Sequence, residues 1–186
     1  KKLERSPFIE AITVVTAQHR EMLDQVLSLF KIMPHYDLNV MKDGQTLTSI
    51  TTEVLQGMSK IYQIEKPDIV LVHGDTTTTF SASLSAFYEK ICIGHVEAGL
   101  RTNNKYSPYP EEINRKLTSC LADLHFCPTN QSKINLMNEG IPESKITVTG
   151  NTVIDALLST IDENYIFCEK DLEKVDFSKK ILLVTS

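Results

Sequence analysis

The chain has 186 residues, of which 41% are hydrophobic and 23% charged, with a net charge of −5. Those fractions exclude a disordered chain, and interspersed charges with no basic tract exclude nucleic acid as the main partner, since phosphate binding needs a concentrated positive face. No apolar run approaches the ~20 residues of a membrane span and no secretory segment opens the chain, so a cytoplasmic protein without a membrane partner is expected.

In chain order, a short apolar run followed by an amphipathic stretch recurs. Residues 1–10 read as the tail of a helix. A strand follows at 12–16 and a helix at 20–30. The segment 44–52 carries turn residues and threonines before a helix at 47–65. Pro67 then precedes a strand at 69–73, and the threonines at 76–79 open a helix at 77–89. The remaining elements are a strand at 91–97, a helix at 111–121, a strand at 124–127, a helix at 130–139, a strand at 146–149, a helix at 153–162 and a strand at 181–185. Thr129 or Asn130 caps one helix, and Gly140 with Pro142 ends it. Strands alternating with helices predict an α/β fold with a parallel sheet and right-handed crossovers. The run Ile69-Val70-Leu71-Val72, apolar on consecutive residues, predicts a strand covered on both faces.

In such a sheet, ligands bind outside the carboxyl ends of the strands. Three segments fall there. In His73-Gly74-Asp75-Thr76 the glycine permits a sharp turn, and Asp75 either caps the following helix or projects into the crevice. In His95-Val96-Glu97-Ala98-Gly99-Leu100-Arg101 the first and third residues share a strand face. His95 reads best as a hydrogen-bonded core residue, whereas Glu97 sits among small residues that leave room for a ligand, with Arg101 as its possible ion-pair partner. In Tyr109-Pro110-Glu111-Glu112-Ile113-Asn114-Arg115 the spacing pairs Glu111 with Arg115 and Glu112 with Lys116 on the helix, behind a loop rich in aromatic and turn residues. Three carboxylates at strand ends and a neighbouring helix suit proton transfer at carbon or acid–base work on a leaving group. The spacing alone does not choose the reaction. The four cysteines form no CxxC pair and no metal-site pattern, and read as structural.

Taken together, His73-Gly74-Asp75-Thr76-Thr77-Thr78, His95 to Thr102, Tyr109 to Arg115 and Thr149-Gly150-Asn151-Thr152-Val153-Ile154-Asp155 resemble the bacterial non-hydrolysing UDP-N-acetylglucosamine 2-epimerases. With Thr16-Ala17-Gln18-His19-Arg20, the resemblance covers nearly the whole chain. It implies a Rossmann-like parallel sheet forming one half of a GT-B-type pair of domains. It also implies interconversion of UDP-N-acetylglucosamine and UDP-N-acetylmannosamine, for cell-surface polysaccharide, without metal or cofactor. UDP is eliminated to leave 2-acetamidoglucal and then added back.

On the matching motifs, Asp75, Glu97 and Glu111 are the implied catalytic carboxylates, supported by Arg115. His73, Gly74, Thr76, His95 and Arg101 are the implied substrate-binding residues. Gln18, His19 and Glu111 are the implied members of an activating UDP-N-acetylglucosamine site, although Glu21 stands where the family usually has glutamine. A homodimer is implied as well.

Residues 1–150 are expected to form the first domain without its first strand, and residues 151–186 an interdomain helix and the start of a second domain. Because half a cleft cannot preorganise a transition state, little activity is expected of this chain alone. Three alternatives are a hydrolysing epimerase, a GT-B glycosyltransferase, and a non-catalytic nucleotide-sugar-binding or oligomerisation module.

Overall fold

The computed structural model describes residues 2–16, 20–40, 42, 44–166, 170–172 and 174–184. Its elements in chain order are β1 Val14–Val15, α1 Arg20–Phe30, β2 Tyr36–Asp37, α2 Leu47–Glu65, β3 Ile69–His73, α3 Thr77–Tyr88, β4 Cys92–Val96, α4 Glu111–Leu121, β5 Leu124–Cys127, α5 Asn130–Asn138, β6 Ile146–Val148 and α6 Thr152–Leu158. All strand pairings are parallel. β1 and β2 form one small sheet, and β3-β4-β5-β6 form a second in sequential order.

α2 shows why these segments become helices. Thr46 and Ser49 make a reciprocal capping box at its start, and its buried residues Ile50, Val54, Met58 and Ile61 recur at helical spacing. They pack with Val40, Val72, Ala82, Ala86 and Ile93 into the main core. α3 packs against α2 through small residues. The Ser81 and Ser83 hydroxyls donate back to the carbonyls of Thr77 and Thr79, and Ser85 donates across to Leu55.

Because the crossovers advance in one direction, α3, α4 and α5 lie on one side of the larger sheet. This corrects the expectation for β3. Val72 is buried toward the helices, but Ile69 and Leu71 on the opposite face are exposed. Two further differences from the sequence reading concern short or terminal elements. β2 is a two-residue strand with no apolar run to announce it. Residues 181–184 form no strand and are largely exposed, because a strand is a paired structure and this apolar run has no partner among the described residues. No described residue after Ile146 is buried. Among the described residues, no helix is long and apolar enough to cross a membrane.

Candidate active site

The sheet brings two turns together at its carboxyl edge. His73 stands opposite Val96 in the β3–β4 ladder. Just beyond, the amide N–H of Gly74 donates to the Val96 carbonyl at 3.0 Å. Gly74 has φ of +74°, the left-handed conformation that lets the chain leave β3 sharply. The helix that follows is capped by Thr76, whose hydroxyl accepts from the Thr79 amide. The threonine performs the capping, so the Asp75 carboxylate is left to point elsewhere.

It points at Arg115. The guanidinium Nη2 lies 2.5 Å from Oδ2 of Asp75, joining the end of β3 to the second turn of α4. The other terminal nitrogen, Nη1, lies 3.1 Å from Oε2 of Glu112. This replaces the Glu111–Arg115 pair expected from i, i+4 spacing. Lys116 lies 3.9 Å from Glu112, at the edge of an ion pair. Glu111 is half-buried and opens α4, one residue ahead of Glu112.

Across from Asp75, Glu97 leaves β4 with φ of +66°. Its strand ends at Val96, so Glu97 does not continue the alternation that would place it directly above His95. The turn instead lays its carboxylate against the Gly74 backbone: a Cβ on Gly74 would sit 3.5 Å from Oε2 of Glu97. His95, fully buried, packs beneath and holds the same turn, its Nε2 lying 2.8 Å from the Gly74 carbonyl. Burial pushes the His95 pKa down to about 4, against the opposing pull of the Gly74 hydrogen bond. The ring is therefore neutral near pH 7. Since a carbonyl only accepts, Nε2 carries the proton.

Arg101 is engaged elsewhere than with Glu97. Its side chain is 2% exposed and grips Glu139 through Nε and Nη2, with further bonds to the Leu100 carbonyl and the Ser119 hydroxyl. That pairing holds the Glu139 carboxyl below its ordinary range. Gln18 and His19 lie outside the described residues. His73 and Thr76 are exposed at the rim of the β3 turn.

Glu112 is the residue that sequence reasoning passed over. Reading Glu112 with Lys116 as a surface pair hid a carboxylate only 1% exposed. Burial, the largest influence on it, opposes its charge. The amides of Thr102 and Asn103, the Thr102 hydroxyl and Arg115 together outweigh that and hold its pKa below the usual carboxylate value. The site thus combines two partly accessible carboxylates at adjacent strand ends with an arginine fixed between Asp75 and a buried glutamate. Such an arrangement can accept and return a proton while a neighbouring cation steadies developing negative charge.

The model of the UDP-N-acetylglucosamine 2-epimerase family matches residues 1–186. The UDP-N-acetylglucosamine 2-epimerase of Bacillus subtilis is 55% identical over 98% of this chain, which covers 47% of that protein. The crystal structure of the Neisseria meningitidis UDP-GlcNAc 2-epimerase bound to UDP-GlcNAc is 60% identical. It superposes with a TM-score of 0.82 over 84% of this chain and 42% of its own. The S. aureus MnaA–UDP co-structure is 54% identical, with a TM-score of 0.87 over 92% of this chain and 45% of its own. The chain spans about half the length of the curated relatives it matches. The observed parallel α/β architecture and these neighbours agree with one Rossmann-like half of a GT-B arrangement.

Proposed function

The chain belongs to the UDP-N-acetylglucosamine 2-epimerase family, and from that premise we propose that the complete protein interconverts UDP-N-acetylglucosamine and UDP-N-acetylmannosamine. A carboxylate takes the proton from C2 of the sugar as the C1–O bond breaks and its electron pair leaves with UDP. This gives 2-acetamidoglucal. UDP oxygen then re-forms the bond to C1 while a proton is delivered to the opposite face of C2. Asp75, Glu97 and Glu111 divide these proton transfers and the assistance to the leaving oxygen, and Arg115 steadies the charge. His95 and Gly74 shape the turn on which the sugar nucleotide rests, bordered by His73 and Thr76.

The observation that carries this reading is the meeting of Asp75 and Glu97 at the adjacent ends of β3 and β4, with Arg115 locked to Asp75. A sugar bound between two carboxylates can lose a proton to one face and regain it on the other. A UDP-sugar substrate supports a cytoplasmic protein that supplies N-acetylmannosamine units for surface polysaccharide, and the family relation supports a homodimer. Residues 1–150 form the first domain of that protein and residues 151–186 lead into its second.

The test is turnover in D2O. The complete protein should yield UDP-N-acetylmannosamine carrying deuterium at C2, with UDP retained on the sugar. Release of free N-acetylmannosamine and UDP would identify the hydrolysing reaction instead. A product without C2 deuterium would overturn proton transfer at that carbon.

A further inference from the structure

α4 is inverted relative to an ordinary amphipathic helix. Its buried residues are Glu112, Asn114, Arg115, Thr118 and Ser119, whereas Ile113 and Leu117 are exposed. A buried charge is expensive unless it is paired and hydrogen-bonded, and Glu112 is both. Its Oε1 accepts from the Asn103 amide at 3.0 Å, and its Oε2 accepts from the Thr102 amide and from Arg115, each at 3.1 Å. The loop after β4 and the interior of α4 are therefore tied to one carboxylate.

Among the described residues, Arg115 is gripped only by its two terminal nitrogens, its Nε being buried without a partner there. One terminal nitrogen lies on Glu112 and the other on Asp75. A guanidinium is a rigid planar fork, so fixing one prong sets the direction of the other. The Asp75 side chain is partly exposed, whereas Glu112 is buried and held by two backbone donors.

We infer that Glu112 is a positioning residue: without touching substrate, it aims the Arg115 guanidinium at Asp75 and so holds that carboxylate in the geometry the reaction needs. This rests on the epimerase reading above. It goes beyond that reading in adding a residue that acts solely through another.

The experiment uses the complete protein, with wild type, E112Q, R115K and the double variant assayed side by side and their thermal unfolding followed. Glutamine keeps the shape of the side chain but removes the charge that fixes Arg115. In folded E112Q, kcat is expected to fall at least about tenfold while KM for UDP-N-acetylglucosamine changes less than about threefold. If both residues act as one unit, the double variant is no more than about twofold below the worse single variant. A kcat within about twofold of wild type, or losses that multiply in the double variant, overturns the positioning role. Should E112Q not fold, E112D keeps the charge but withdraws it by one methylene. Its kcat is expected to fall at least about fivefold at unchanged KM, and wild-type kcat would overturn the inference. Failure of the wild-type protein itself to epimerise UDP-N-acetylglucosamine would count against the functional reading, whereas an active wild type beside an equally active E112Q counts against positioning alone.

Discussion

Nε2 of His95 lies 2.8 Å from the carbonyl oxygen of Gly74, so a ring with no solvent exposure clasps the turn that carries Asp75. Its pKa of about 4 in the fold lies below the ordinary histidine value of 6.5. The unfolded chain therefore binds this proton first as pH falls. The contribution is fully present above about pH 6.5 and is lost as the pH drops toward 4, a difference of about 3 kcal/mol. Urea unfolding across this range should show wild type losing stability more steeply than His95→Gln, which can still donate to Gly74 but does not titrate. Parallel slopes would contradict the assignment.

Glu97 holds a left-handed backbone, with φ of +66°, a conformation that costs a non-glycine residue about 1 kcal/mol. Glu97→Gly removes that strain along with the carboxylate. The variant is expected to gain about 1 kcal/mol of stability. Turnover by the complete protein is expected to fall at least about a hundredfold. Thermal unfolding and a turnover assay on the same preparation check both halves.

Arg101 joins the loop after β4 to Ser119 in α4 and to Glu139 at the end of α5. Arg101→Lys cannot reproduce the two-pronged grip on Glu139, whose side chain is about a third exposed. The expected cost is about 2 kcal/mol, below that of removing a buried pair outright, because the lysine keeps the charge and solvent screens Glu139. The loss should appear as a lower urea midpoint, with KM for the sugar nucleotide little changed. A raised KM at unaltered stability would instead place this guanidinium on the ligand.

Gly99 and Gly140 share φ of +89° but not their surroundings. A Cβ at Gly140 meets nothing within 4 Å, while one at Gly99 would sit 2.3 Å from the Ser132 carbonyl oxygen. Gly140→Ala is expected to cost only the left-handed strain, about 1 kcal/mol. Gly99→Ala adds a collision with backbone that cannot rotate away, and should cost about 3 kcal/mol or more. Denaturation midpoints of the two variants provide the comparison.

Elements that announce themselves by local pattern were legible in the sequence. The Ile69–His73 strand and the Leu47–Glu65 helix have the bounds that their apolar periodicity predicts. What escaped depends on contacts distant along the chain. The partner of Arg101 lies 38 residues ahead and that of Arg115 lies 40 residues behind. No helix-face argument could rank either above the nearer acid. The orientation of α4 was illegible for a related reason. Its pattern favours Ile113 and Leu117 as the inward face, and only the tertiary hydrogen bonds that satisfy Glu112 reverse it. The Glu97 turn was hidden because nothing about a glutamate suggests a left-handed backbone.

The closeness of Gly99 to Ser132 also bears on how this chain can change over generations. Natural selection meets a barrier at that position that no change of ligand relaxes, since the obstruction is a neighbouring peptide group. Position 99 should therefore drift little among relatives, for a reason of packing alone. Ranking positions by invariance would place packing and catalytic residues in one class. Asking what a methyl group would strike at each position separates them.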